Sequence, residues 1–425
     1  MFPLTFLLVP LVSAAALLAR DDRNRAAYFL DNNPAGTSIV ALEISVEDGT
    51  LSNPVRTPAG GVGLYGLTAS STGGAPAAGD ADTLFTQDSV VVSQDVCTSI
   101  RFSTQKLISL VSVHRQPREQ HSLILPHRPK QSFTSDAHRK SCPLSWRIPS
   151  YCRILAAAQD WYVGILAPVL RSLTVSACVL NGGAVAGITC YSVDHQKGLA
   201  PLEGLRSLAL NQTTPPVGPP GTVSDLAFNP SQTALIATVK GNGVTPGYIF
   251  SYPVNWDGSI ATEPIISRPS ELFVDFSISF IGSDSRAIIT DPAYGASIVN
   301  ISPDLEFSVE TKIPIPGEGA VCWSVYSERF NTIYVFDGAN PNVTLIDPSS
   351  GAIKGVIAET PSAGGSLDSQ IDRQFLYTLK GNPYIAVADN TGLTHGKLPT
   401  QVQLFDLSSL GPRTGFEGLA IYPSS

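Results

Sequence analysis

Asp225 and Asp368 each stand immediately before apolar residues of a strand-like run. Carboxylates at the start of inner strands can line a channel. The same position equally suits a carboxylate that bonds backbone amides at a strand start. Cys322-Trp323 offers an aromatic wall to a ligand, although a Trp buried between structural units is the commoner use of such a residue. Arg268, Arg286, Arg329 and Arg373 are cations that a polycarboxylate would need, but the last three fall in turns after inner strands. His195 lies at a strand end beside a turn, and His395 in a polar loop before Gly396. Both read as surface loop residues, and no acid–base pair emerges. Cys178 and Cys190 flank the turn 181–187 on neighbouring strands, which suits a disulfide in an oxidising compartment and leaves Cys322 unpaired. No cysteine pair has CxxC spacing, so no metal site is implied. Gly241-Asn242-Gly243 lacks a following Lys-Ser/Thr, so no phosphate cradle and no cofactor are implied.

The elements that must position these residues are short strands. The stretch 224–260 holds an apolar pair (Leu226, Phe228), the turn Asn229-Pro230-Ser231-Gln232, and a compact run (Leu235, Ile236, Ala237, Val239). A third run at 248–254 and the turn Asp257-Gly258 complete it. Runs this short, bounded by Pro, Gly, Asn and Asp, predict strands. The unit recurs: second strands are predicted near Ala234, Ala287, Thr332 and Phe375, spaced 53, 45 and 43 residues apart. Upstream, 177–193 and 27–51 share the pattern. The turn repeats as Asp48-Gly49, Lys197-Gly198, Asp257-Gly258 and Ser350-Gly351. An all-β unit recurring at this period predicts a propeller. The stretch 415–425 reads as an inner strand without a partner, and 25–33 as a second strand without its inner one. Joining them predicts a first blade built from both termini.

At 425 residues, with 36 Gly, 33 Pro and 15% charged residues, the chain suits one turn-rich β domain spanning 25–425. The formal net charge of −8 argues against nucleic-acid binding. The start, 1–19, is apolar and ends in small residues, which reads as a secretory signal peptide. No other segment is long and apolar enough to span a membrane, so the expected mature product is secreted, extracellular or in the cell wall. Sequons at Asn211, Asn300 and Asn342 predict glycosylation.

The segment 97–175 breaks the pattern. No glycine occurs from 80 to 163, and four of the six histidines fall within it. Ten basic residues face only Glu119 and Asp136 between 97 and 153. A blade is expected here and none is visible. The segment reads as a solvated insertion, as a basic loop for polyanions or metal, or as a stretch foreign to the natural product through a gene-model error. The third reading is preferred.

With the apolar start, AYFLDNNPAGTSIVALEI, ACVLNGGAVAGITCYSVD, TVSDLAFNPS and the closing GFEGLAIYPSS in view, the chain resembles the fungal secreted 3-carboxymuconate cyclase-like proteins of the lactonase-type propeller family. The resemblance covers 25–95 and 176–425. It implies a seven-bladed β-propeller with a central channel, here with one blade disrupted. Family members include muconate-lactonising cyclases, sugar-lactone hydrolases, and secreted wall glycoproteins and adhesins. Enzymatic members carry an inner-strand pattern His-Ser-Val-x-Phe-x-Pro with the His facing the channel. Laid on Phe228-Asn229-Pro230, that pattern puts Ser224 where the His would be, and Cys322 at the matching place two blades on. The expected channel or ligand-binding residues are therefore Ser224, Asp225, Cys322, Trp323 and Asp368. The expected function is that of a monomeric wall or secreted glycoprotein binding a small molecule, glycan or host protein without catalysis. The alternative is a cyclase or lactone hydrolase working in the channel.

Overall fold

The computed structural model describes residues 25–70, 73–78, 81–92, 162–168, 175–194, 198–202, 204–358, 360–411 and 413–422. Six sheets are arranged as blades, each an antiparallel meander counted from its first, innermost strand. Blade 1 comprises Phe416–Tyr422, Arg25–Asp31, Ser38–Ile44 and Leu51–Pro58. Its first strand comes from the C-terminal end and pairs with its second, Ala27 facing Ile421. Blade 2 comprises Tyr162–Pro168, Val175–Asn181, Gly187–Asp194 and Gly198–Pro201, with Arg206–Ser207 also pairing its third strand. Blade 3 is Val223–Phe228, Ala234–Val239, Tyr248–Pro253 and Ile265–Ser267; blade 4 is Ile278–Phe280, Arg286–Asp291, Gly295–Ile301 and Phe307–Pro314. Blade 5 is Val321–Ser327, Thr332–Asp337, Asn342–Ile346 and Ile353–Ala358; blade 6 is Ser366–Asp372, Phe375–Lys380, Tyr384–Asp389 and Thr400–Asp406.

Burial follows position in the blade. Second strands are apolar on both faces because each blade packs between two others: Ala234–Val239, Thr332–Asp337 and Phe375–Lys380 are buried throughout. Fourth strands are the most exposed, and Phe307–Pro314 and Ile353–Ala358 alternate because one face meets solvent. The core is a series of layers between blades. Phe29, Val40 and Leu42 of blade 1 pack with Phe375, Tyr377 and Ile385 of blade 6. The Asp48-Gly49 turn shows how sequence fixes that seam. Gly49 has φ +73°, and a Cβ there would stand 2.5 Å from the Phe375 ring. The Tyr377 hydroxyl donates to the Gly49 carbonyl at 2.9 Å. Arg25 forms a buried two-pronged ion pair with Asp372 across the same seam.

The blade count corrects the expectation of seven: the described residues form six. In the seventh place, between blades 1 and 2, residues 84–92 run without a ladder partner. Their apolar side chains nonetheless pack on both neighbouring blades, alternating over Val90, Val91 and Val92. Leu84, Phe85, Val90 and Val92 pack against Tyr28, Leu30 and Ile39 of blade 1, while Val91 packs with the Cys178 and Leu180 layer of blade 2. Closure therefore differs too, because a single strap lies where a whole sheet was expected. Further out, Leu67–Thr68 pairs in parallel with Val217–Gly218 of the Pro-rich connection 213–220. Most of the 97–175 segment lies outside the described residues. Its stretch Tyr162–Pro168 is the first strand of blade 2, which sequence reading had not recognised.

Candidate functional site: the plugged channel

Residues 83–88 lie across the axis of the ring and are held by groups from four blades. The Thr83 amide and hydroxyl both donate to Glu417 Oε1, each at 2.6 Å. The Phe85 carbonyl accepts from the Lys240 ammonium, and the Thr86 carbonyl from Trp323 Nε1 at 3.1 Å. The Gln87 amide donates to the Ser224 carbonyl at 3.1 Å. The Gln87 side chain bridges blades 3 and 5: its Nε2 donates to Asp225 Oδ2 at 3.2 Å, and its Oε1 accepts from the Ser324 amide at 2.9 Å. The Asp88 amide donates to Asp368 Oδ1 at 2.9 Å. Gly418 makes the approach possible, since a Cβ there would meet the Val90 nitrogen at 2.4 Å.

Of the five residues expected at the channel, Ser224 through its carbonyl, Asp225, Trp323 and Asp368 contact this strap, and all five are buried. Asp225 and Asp368 bond backbone amides as well as the plug, from Leu226 and Ile278 for Asp225 and from Gly418 for Asp368. Trp323 stacks at a tilt on Phe276, ring centroids 5.0 Å apart, while its indole N–H serves the plug. Cys322 is a buried free thiol whose carbonyl accepts from Thr290, and burial pushes the thiol well above its usual range. The Ser224 hydroxyl is buried without a hydrogen-bond partner. Sequence reasoning missed Gln87, Glu417, Lys240 and Arg413. The signal for Lys240 was present: second strands of blades 3, 5 and 6 end in Lys240-Gly241, Asp337-Gly338 and Lys380-Gly381. At each of these ends a charged side chain clamps the chain leading into the blade's own first strand. Lys240 holds the Val223 carbonyl at 2.7 Å, Asp337 the Gly319 and Ala320 amides at 2.8 and 3.0 Å, and Lys380 the Ser366 hydroxyl at 2.6 Å.

The electrostatics follow from burial. Burial pushes Asp225 and Asp368 well above the carboxylate range, and the neighbouring Asp88 carboxylate raises both further. Desolvation lifts Asp88, partly exposed at the channel, to about 6. Burial also raises Glu417, with Asp82 adding to it, and lowers Lys240 and Lys380 to about 7 and Arg413 to about 10. Displaced values of this kind mark either a functional centre or a buried structural network.

The remaining candidates lie away from the axis. Cys178 and Cys190 are bonded across the second and third strands of blade 2. Asn211 and Asn300 are exposed and Asn342 is half-buried. Arg286 pairs with Glu310 on the surface, Arg268 lies over the Tyr248 ring, and Arg373 reaches the Val46 carbonyl. His395 ends an exposed 3-10 turn, and His195 lies outside the described residues. Among the described residues no cluster of His, Cys, Asp and Glu could hold a metal ion, and no helix is long and apolar enough to cross a membrane.

No family model and no curated protein matches the chain. Among solved structures, a functionally unknown protein from Desulfotomaculum acetoxidans is 10% identical, with a TM-score of 0.50, over 93% of this chain and 98% of that one. A candidate 6-phosphogluconolactonase from Bacteroides fragilis is 11% identical, with a TM-score of 0.46, over 92% and 83%. A protein from Lactobacillus plantarum is 10% identical, with a TM-score of 0.41, over 90% and 82%. At such identities the likeness is one of fold, and this chain is an all-β propeller.

Proposed function

We propose that this chain is an exported glycoprotein of the 3-carboxymuconate cyclase-like, lactonase-type group whose propeller binds a ligand without catalysis. One observation carries the reading. The polar groups that the first strands bring to the axis, Asp225, Ser324, Asp368 and Glu417, are committed to hydrogen bonds that recognise a chain segment. They are not set against a nucleophile or a base. Fold alone does not choose between binder and enzyme, since propellers host both. The apolar start and the accessibility of Asn211 and Asn300 support export and glycosylation. A second reading, an enzyme of lactone opening or closure, would use the Lys240 ammonium, which meets the Phe85 carbonyl at the axis and whose burial lowers it to about 7.

The test is made on the secreted protein. A glycan and small-molecule panel is titrated, and muconates and sugar lactones are offered under the same conditions. The binder reading expects saturable binding and no turnover. Turnover above background that is lost in Lys240→Met would replace it with the enzyme reading.

A further inference from the structure

We propose that residues 83–88 are an intrasteric plug, and that the channel they fill is a recognition site for a bent peptide segment, occupied here in cis. The inference rests on the ligand-binding reading above and names both the ligand class and what controls access to it.

The contacts have the chemistry of peptide recognition. Five of the groups read by the ring are main-chain groups. Carboxylates and a carbonyl take the N–H groups of Thr83, Gln87 and Asp88, while an ammonium and an indole N–H serve the carbonyls of Phe85 and Thr86. One side-chain amide, that of Gln87, is read at both ends, by Asp225 and by the Ser324 amide. The ring therefore asks for a bent main-chain segment carrying a carboxamide.

Local contacts shape the strap, with Asp82 Oδ1 accepting the Phe85 amide at 2.7 Å and the Thr86 and Ser89 hydroxyls bonded at 2.9 Å, and the groups of the ring hold it in place. It has no ladder partner among the described strands. Phe85 and Asp88 are forced to φ +57° and +55°, a region that non-glycine residues seldom adopt. The fit is also incomplete, because the Ser224 hydroxyl and Arg413 Nη2 are buried without partners at its border. Arg413 Nη1 meanwhile donates to Ala81 at the start of the plug. A strained occupant that leaves polar groups unmet can be exchanged for a better one, provided the competition from its tether is reduced. A tethered occupant competes at an effective concentration on the order of millimolar.

The experiment uses the full chain and a labelled synthetic peptide of residues 82–92, read by fluorescence polarisation. In the natural sequence the plug suppresses binding. Gln87→Ala removes two of its hydrogen bonds and should tighten peptide binding at least tenfold, about 1.4 kcal/mol. Adding Asp368→Ala to Gln87→Ala removes the acceptor of the Asp88 amide and should abolish the gain. Asp88→Asn keeps every plug contact made through its amide and should bind no better than the natural sequence. Hydrogen exchange across 83–88 is followed in each protein. It should rise in Gln87→Ala while the blade strands stay protected, which separates a loosened plug from an unfolded ring. Equal affinity in the natural sequence and Gln87→Ala, or no saturation by either, would overturn the proposal. Neither result touches ligand binding elsewhere on the propeller, whereas lactone turnover by the natural sequence would defeat the underlying reading.

Discussion

Asp88 sets a pH dependence whose sign can be worked out. Its folded value of about 6 lies above the ordinary 3.8, so the unfolded chain ionises first as pH rises. Its contribution to stability is present below pH about 4 and lost as pH rises through about 6. Asp88→Asn should therefore change the melting temperature little at pH about 4 and raise it at pH about 7, measured against the natural sequence. A constant offset at both pH values would contradict the burial account of this carboxylate. Lys240 has the opposite sign. Its value is depressed to about 7, so its contribution is present above the ordinary 10.5 and is lost as pH falls through about 7. Lys240→Met removes the pH term but strips donors from the Phe85 and Val223 carbonyls, both buried at the axis. A net loss of about 2–4 kcal/mol is expected in denaturant titration, because two carbonyls go unmet. Asp225 and Asp368 were legible from their place before apolar strand residues. Gln87 and Glu417 were not, because their partners lie hundreds of residues away and nothing local marks the pairing.

Each blade is a local object, and its strands were legible for that reason. The second strands near Ala234, Ala287, Thr332 and Phe375 begin within one residue of the expected positions. Turn chemistry and alternation act over a few residues, so a single sequence carries them. The seams between blades are different, since they depend on which blades become neighbours. The Arg25–Asp372 pair is one such seam contact, with Asp372 fully buried. Asp372→Ala leaves a guanidinium in the seam with its carboxylate gone. It should cost about 3–5 kcal/mol in chemical denaturation. An effect under about 1 kcal/mol would show that the seam rearranges to solvate Arg25.

For the molecule as a whole, the termini matter more than their length suggests. Residues 416–422 supply the first strand of blade 1, the buried side chains Phe416, Leu419 and Ile421, and the Glu417 carboxylate that grips Thr83. Burial of three such side chains contributes roughly 5–8 kcal/mol, comparable to the whole stability of an ordinary domain. Deletion of residues 415–425 should accordingly abolish the cooperative melting transition, and an unchanged melting curve would show that blade 1 does not need its C-terminal strand. The propeller itself was legible because the unit repeats. The number of blades was not, because the count of seven came from the family resemblance and required a further sheet in a region where the sequence shows no repeat. What fills that place, residues 84–92, has no ladder partner among the described strands, and sequence pattern alone does not say whether such a run finds one. The central claim is that this strap closes the channel. Hydrogen exchange at the amides of Thr83, Gln87 and Asp88 tests it most directly. Protection comparable to that of Leu226 and Ile278 in the first strands is expected. Exchange at the rate of an exposed loop would mean that the channel is open and that its carboxylates and Lys240 face solvent.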